Sequence, residues 1–215
     1  KDQVALSARG LFISFEGIDG VGKSTQADLL EQYLVQLGQE VIRTFEPGGT
    51  ALGQEIRHLL LHRKGEVAPR SEALLFAADR AHHVATKIRP ALAAGKVVIT
   101  DRYLDSSVAY QGAGRELSRD DVRKISLWAV EDLLPALTVL LDLDAASAAT
   151  RRNKTGDAPD RLEREKLEMF ESARMAYLDL ASDEPSRFLV VDASQSVDAM
   201  QREIRARVDR ILAEQ

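Results

Sequence analysis

The order of apolar segments in this chain predicts an α/β fold, a five-stranded parallel sheet with helices on both faces. Three observations carry that expectation. Short apolar runs alternate with longer stretches that repeat apolar residues at helical spacing. The first run, Leu11-Phe12-Ile13-Ser14-Phe15, passes through a glycine-rich turn into such a stretch, Gln26 to Leu34. The third, Val97-Val98-Ile99-Thr100, leads straight into Asp101-Arg102-Tyr103, which puts charged side chains where open parallel sheets bind ligands.

The elements follow in order. Gly38 stops the first helix and Val41 to Phe45 reads as the second strand. Glu46-Pro47-Gly48-Gly49-Thr50 is a loop, because proline and paired glycines interrupt any regular element. A helix runs from about Ala51 to His62, and Arg70 to about Ala94 reads as one long helix or two, ended by Gly95. Further helices cover Leu104 to Gln111 and Ser118 to Leu133, the second opened by the capped, acidic turn Ser118-Arg119-Asp120-Asp121. Beyond Pro135, Leu137 to Leu143 is the fourth strand and Phe188 to Asp192 the fifth. Between them the polar, basic stretch Arg151 to Arg161 lies between two helical segments, which suits a mobile lid at about 151–161. Val197 to Leu212 is a final amphipathic helix. No internal repeat, low-complexity linker or shift in composition marks a second domain, so one domain over residues 1–215 is expected.

Composition narrows the function. With 45% apolar and 29% charged residues the chain has ordinary globular composition. A net charge of -5 argues against a nucleic-acid partner held by general electrostatic attraction. The lack of cysteine excludes disulfides, thiolate catalysis and zinc-thiolate sites, and fits a reducing compartment. Lys1 to Arg9 lacks the apolar core of a signal peptide, and no apolar run approaches membrane-spanning length. A cytoplasmic protein without a membrane partner is expected.

The strongest chemical signal is Gly17-Ile18-Asp19-Gly20-Val21-Gly22-Lys23-Ser24, followed by Thr25, which fits the phosphate-loop pattern G-x-x-x-x-G-K-[ST]. Its glycines let successive N–H groups point inward as an anion-binding nest, and the next helix adds the positive end of its dipole. Lys23 then bridges outer phosphates and the Ser24 hydroxyl holds Mg²⁺; the bland alternative is a glycine turn that merely joins strand to helix. A guanine-reading N-K-x-D is approached by Asn153-Lys154-Thr155-Gly156-Asp157, but the Asp comes one residue late and no strand precedes it, which argues against a GTPase-type switch. His58, His62, His82 and His83 have no metal-ligand spacing and read as structural or solvated, while Trp128 and its neighbouring leucines read as core or a subunit contact.

Taken together, Glu16 to Thr25, Glu46 to Thr50, Asp101-Arg102-Tyr103 and Ala109-Tyr110-Gln111 closely resemble the thymidylate kinases of the bacterial type, over nearly the whole chain. The resemblance implies a P-loop NTPase fold, nucleoside monophosphate kinase-like, and a homodimer. It implies Mg²⁺-dependent transfer of the ATP γ-phosphoryl group to dTMP, giving dTDP and ADP on the way to dTTP. Gly17 to Thr25 would then bind ATP, and Arg102 the acceptor monophosphate, where a bidentate guanidinium suits phosphate better than a lysine. Asp19 repels ATP and by resemblance accepts a hydrogen bond from the deoxyribose 3′-OH near Mg²⁺; the alternative is a solvated turn aspartate. Asp101 is either a carboxylate supporting magnesium or a helix cap.

Phe76 and Arg80, four apart, share a helix face, and the resemblance makes it the thymine site, Phe76 stacking on the ring and Arg80 reaching its carbonyl oxygen. Burial habits alone would make Phe76 core and Arg80 a solvated charge. Ser106, Ser107, Tyr110 and Gln111 line base and sugar, Tyr110 crowding the 2′ carbon, with a helix cap as the alternative for Ser107. Gly20 and Val21 stand where the eukaryotic type has a basic residue, a loss the bacterial type offsets with lid arginines. Thr155 stands where some relatives carry arginine, which leaves the catalytic cation open among Arg151, Arg152, Lys154, Arg161 and Arg164, and Arg152 or Arg161 is expected to swing onto the phosphates on closure. These charges otherwise serve solubility, and Asp160 and Glu163 either approach the acceptor or metal or are helix-start acids. The nearest rival is a kinase for another nucleoside monophosphate or a deoxynucleoside, against which Phe76, Arg80 and Tyr110 favour dTMP.

Overall fold

The structure, a computed structural model, describes residues 10–112, 117–152 and 161–215, with the side chains of 161–165 outside that description. Five strands, β1 (Phe12–Glu16), β2 (Val41–Phe45), β3 (Val97–Asp101), β4 (Leu137–Asp142) and β5 (Phe188–Asp192), pair in parallel in the order β2-β3-β1-β4-β5. In the centre, β1 pairs Phe15 with Asp101 of β3 and Glu16 with Leu140 of β4.

Successive side chains of a strand face opposite ways, so the apolar runs supply two cores. Ile13, Phe15, Ile99 and Val139 pack against Leu30 and Leu34 of α1 (Lys23–Gln36) and Ile204 and Val208 of α9 (Val197–Ala213). Phe12, Val98 and Leu140 pack on the other face against Ile88, Tyr103 and, from α8 (Arg161–Asp183), Tyr177 and Leu180. That second face also carries buried polar residues, Ser14, Glu16 and Thr138. Ser14 and Thr138 satisfy each other across the strands at 2.9 Å.

Local chemistry sets the helix ends. Thr50 Oγ1 accepts from Gly53 N at 2.9 Å to open α2 (Ala51–Leu61), and Ser118 Oγ accepts from Asp121 N at 3.1 Å to open α6 (Arg119–Ala129). The helical region expected from Arg70 to Ala94 is three pieces: α3 (Pro69–His83), a π-helical turn Val84–Ile88 and α4 (Arg89–Ala93). Pro90 has no N–H to continue the regular ladder. After α5 (Leu104–Tyr110), α6 ends at Ala129 rather than Leu133, because Glu131 and Asp132 adopt left-handed φ of 49° and 58°.

One expectation needs correction and another narrows. Arg151 and Arg152 are the last residues of α7 (Ala145–Arg152), not part of a loop. The alanine-rich stretch favours helix, and Asp144 caps it by accepting from Ser147 N at 2.8 Å. The rest of the expected lid, residues 153–160, lies outside the described residues. Trp128 is 83% exposed, which removes the core alternative and leaves the subunit contact, although Leu127 and Leu133 do pack against the second core. Among the described residues no helix is long and apolar enough to cross a membrane.

A buried ion pair ties β5 to α5. Arg187 donates to both Asp105 oxygens at 2.7 and 3.0 Å and to Thr138 at 2.9 Å, while Asp105 is inaccessible to solvent. Arg187 also pairs with the half-buried Glu184, so Asp105 is its fully buried counter-charge but not its sole one. With Glu184 and Thr138 still on the guanidinium, Asp105→Ala is expected to lose about 1–3 kcal/mol in urea unfolding; a loss well below about 1 kcal/mol would mean that those two partners satisfy it alone.

Candidate active site

Three strands deliver their chemistry to one edge of the sheet. β1 ends at Glu16 and turns through Gly17–Gly22 into α1, β3 ends at Asp101, and β2 ends next to Glu46, whose N–H donates to Asp101 O at 3.0 Å. In the turn Gly17, Gly20 and Gly22 adopt φ of 136°, 91° and 98°, a region that side-chain-bearing residues avoid. Lys23 lies back over this turn, its Nζ donating to Gly17 O at 2.9 Å and Ile18 O at 3.0 Å. Burial pushes the Lys23 amine down to about 8, with help from the Arg102 charge and against the pull of Asp101, Asp19 and Glu16. Ser24 Oγ donates to Asp101 Oδ2 at 3.3 Å. Asp101 thus faces the loop, and α5, which follows it, has no side-chain cap.

Arg102 follows directly. Its backbone is left-handed, φ 71°, pinned by a hydrogen bond from Arg102 N to Phe15 O at 2.9 Å. Its guanidinium donates to Asp19 Oδ1 at 2.7 Å, to Ser106 Oγ at 3.1 Å and to Tyr177 OH at 3.2 Å, and lies 5.2 Å from the centre of the Tyr110 ring. Asp19 is thus engaged in an ion pair, not a freely solvated turn residue. Partial burial raises its pKa, but Arg102 and Lys23 outweigh that and hold it below the usual carboxylate range. Behind Arg102 sits Glu16, whose carboxylate accepts from Tyr103 N at 2.8 Å, Ser106 Oγ at 2.5 Å and Tyr177 OH at 2.8 Å. Burial and the charge of Asp105 push Glu16 up to about 7, against Arg102 and the two hydroxyls.

Beside Arg102 opens a cavity of about 370 Å³. Phe76 and Arg80 of α3, Tyr110 and Gln111 at the end of α5, and Met169 and Phe170 of α8 form much of its wall. Half-buried, Phe76 faces this space instead of the core. Arg80 is only 1% exposed, so the solvated alternative fails. It donates to Glu46 at 2.7 Å, Ser107 Oγ at 3.1 Å and Tyr103 O at 3.2 Å, leaving two of its five N–H groups for a ligand. Ser107 accepts from that arginine and is not a helix cap. The other Glu46 oxygen meets His83 Nδ1 at 2.9 Å, and His83 Nε2 meets Thr44 Oγ1 at 2.7 Å, which makes this histidine structural. The buried Tyr110 hydroxyl has no partner among the described residues, and Gln111 donates to Glu72 at 3.3 Å.

The two candidate lid cations stand differently. Arg152 lies 4.6 Å from the Phe170 ring centre, and its stem packs so close to Gly20 that a Cβ there would come within 3.0 Å of Arg152 Cγ. Arg151 turns away and donates to Ala193 O at 2.7 Å. The side chains of Arg161, Glu163 and Arg164, and all of Lys154, Thr155 and Asp160, lie outside the described residues.

Sequence reasoning missed Glu16, Tyr177, Glu46 and Arg57. The alternation of β1 is the signal for Glu16, because it shares a face with buried Phe12 and Ser14. Tyr177 enters from α8 with no local signature. Arg57 is on the cavity wall, held by Pro47 O at 2.7 Å. The whole arrangement is a glycine loop with its lysine, an arginine bonded to that loop and a cavity of mixed apolar and charged wall beside them, which suits phosphoryl transfer between two bound phosphates.

A sequence profile of the family described as Thymidylate kinase matches residues 15–204. The chain is 62% identical to a thymidylate kinase of Leifsonia xyli subsp. xyli (strain CTCB07) over 93% of this chain and 95% of that protein. It is 58% identical to one from Clavibacter sepedonicus, covering 95% and 97%, and 47% identical to one from Halothermothrix orenii, covering 93% and 97%.

The seat of α7 on the loop is testable. Both Gly20→Ala and Gly22→Ala incur the left-handed backbone cost of roughly 1–2 kcal/mol. Only at Gly20 would the new Cβ also meet backbone, Ala148 O at 2.6 Å, whereas nothing lies within 4 Å at Gly22. Gly20→Ala is expected to lower the urea midpoint clearly more than Gly22→Ala; equal losses would show that α7 does not bear on the loop.

Proposed function

The chain belongs to the thymidylate kinase family, which transfers the γ-phosphoryl group of ATP to dTMP to give dTDP and ADP, and from that premise we propose which residues carry the reaction. ATP binds on Gly17–Thr25, its phosphates taken by main-chain N–H groups and by Lys23, which exchanges the loop carbonyls for them. The dTMP base enters the cavity on Phe76, with Arg80 donating to a ring carbonyl and Ser106, Ser107, Tyr110 and Gln111 along base and sugar. Arg102 clamps the 5′-phosphate.

One observation supports this above the rest: Arg102, the clamp for one anion, is bonded at 2.7 Å to Asp19, which belongs to the loop that cradles the other. An acceptor phosphate would release Asp19 from that bond, freeing it for the 3′-OH. Little proton handling is needed; Lys23, Arg102 and a lid arginine spread the charge that builds on the transferring group. Arg152 is the favoured arginine because it already rests on Gly20, with Arg161 as its companion.

The donor set at the mouth of the loop, a hydroxyl and a carboxylate 3.3 Å apart, consists of hard oxygens and fits Mg²⁺. Ser24 would hold the ion, with Asp101 supporting it. Among the described residues no cluster of three His, Asp or Glu side chains offers a cation a site of its own, so phosphate oxygens would complete its coordination. Bound there, the ion neutralises phosphate charge.

The same reading makes the chain one catalytic domain acting in the cytoplasm, in keeping with its cysteine-free composition, and a homodimer. Trp128, 83% exposed, and Leu74, 55% exposed, border an apolar groove between α3 and α6 with Ala77, Ala78 and Ile125, a surface suited to a second copy.

Two outcomes are expected. Turnover with saturating dTMP and ATP should fall on the order of 10³-fold in Arg152→Ala, with a further share in Arg161→Ala; near-normal rates in both would remove the lid assignment. In sedimentation, Trp128→Glu should be monomeric at concentrations where the unaltered chain is dimeric, and an unaltered chain that sediments as a monomer would end the dimer reading.

A further inference from the structure

Glu16 is the last residue of β1, and the alternation of that strand turns its side chain beneath α5 and α8, where it is inaccessible to solvent. One carboxylate oxygen accepts from Tyr103 N at 2.8 Å, and the other from Ser106 Oγ at 2.5 Å and Tyr177 OH at 2.8 Å. The same two hydroxyls lie 3.1 and 3.2 Å from Arg102 Nη1. Above about pH 7, where Glu16 is ionised, they stand between a group that only accepts, the carboxylate, and a group that only donates, the guanidinium. The two hydroxyls also lie 2.9 Å from each other, and the arrangement that gives both short carboxylate contacts a hydrogen points each hydroxyl hydrogen at Glu16 and turns a lone pair of each oxygen to Arg102. Tyr177 is held in that role because burial and the Glu16 charge raise its pKa well above the ordinary value, so it keeps its proton.

We propose that Glu16 is a positioning residue for the acceptor phosphate: it sets the direction of the Ser106 and Tyr177 hydroxyls, and these hold Arg102 where it receives the phosphate. The inference rests on the reading that Arg102 takes the 5′-phosphate of dTMP. Through Tyr103 N–H the same carboxylate also anchors the residue after Arg102, whose own backbone is left-handed at φ 71°. A neutral amide at this position cannot reproduce the pattern. With its NH₂ toward the hydroxyls, they must turn to accept from it, and a hydrogen is then aimed at Arg102; with the amide reversed, its NH₂ meets Tyr103 N–H.

The test uses the full chain and two ligands that differ only in the phosphate, dTMP and thymidine, with affinities measured by calorimetry. In Glu16→Gln the dTMP affinity is expected to fall about tenfold or more, as loss of a charge-assisted hydrogen bond implies. Thymidine affinity and the KM for ATP should stay within about twofold, a difference too small to signal a lost bond. Arg102→Ala, run alongside, should collapse the dTMP-to-thymidine ratio. If it does not, the reading of Arg102 is wrong; if it does while Glu16→Gln keeps the ratio, or loses both ligands equally, the inference about Glu16 alone is overturned. Should Glu16→Gln not fold, Tyr177→Phe removes one of the two hydroxyls and should show the same phosphate-selective loss to a smaller degree, and an unchanged ratio there overturns the inference.

Discussion

Charges that the fold keeps away from water must neutralise one another, and the site depends on that constraint. The sheet is covered on both faces, so a charged residue at or just beyond the end of a central strand is caught under helices. β1 delivers Glu16, β2 delivers Glu46 and β3 delivers Arg102, while α3 adds Arg80 from the side. A lone buried charge costs several kcal/mol, so each of these groups needs partners. Glu46 has Arg80 and His83; Glu16 has two hydroxyls and a main-chain N–H, with Arg102 behind them. The pairings link β1, β2, β3, α3, α5 and α8, so the same contacts that satisfy the charges also fix the positions of the elements that line the cavity.

The site holds its cations on groups of its own loop. Lys23 rests on two loop carbonyls and Arg102 on Asp19, so the cations that would take phosphates are already satisfied and oriented. A bound phosphate then replaces one set of acceptors with a more strongly charged set, and little side-chain freedom remains to be lost. Electrostatic catalysis benefits from such preorganisation, because dipoles and charges set in advance need no rearrangement as the reaction proceeds.

What could be read in the sequence follows from the range of the interactions. Strands β2 and β5 were legible to the residue, and the phosphate loop was legible because one short segment contains all its parts. The spacing of Phe76 and Arg80 put them on one face, yet the burial of Arg80 depends on Glu46, 34 residues earlier, and composition alone argues for a solvated charge. Glu16 bonds Ser106, 90 residues on, and Tyr177, 161 residues on, and no local pattern announces such partners. Arg151 and Arg152 read as loop because they open a polar, basic stretch, whereas the alanines before them and the Asp144 cap extend the helix. Composition leaves Trp128 as core or a subunit contact, and the α6 stripe facing the second core, with Val122 and Leu127, puts the tryptophan outside and removes the first.

The same buried charges set a conflict between function and stability whose sign can be worked out. Glu16 rises from 4.5 to about 7 and Asp79, pushed up by burial and by Glu46, from 3.8 to about 6, so the fold favours their neutral forms. The stability they contribute is complete below their unfolded pKa values and is lost as pH climbs through 7 and 6 respectively. Lys23 falls from 10.5 to about 8, so its ammonium costs stability below pH 8 and the cost fades as pH rises toward 10.5. Between about pH 7 and 8 all three therefore subtract from folding. That same window is where Glu16 accepts from both hydroxyls and Lys23 is charged for a phosphate. The apolar cores on either side of the sheet offset this penalty, so the hydrophobic faces of the strands carry the polar edge at their ends.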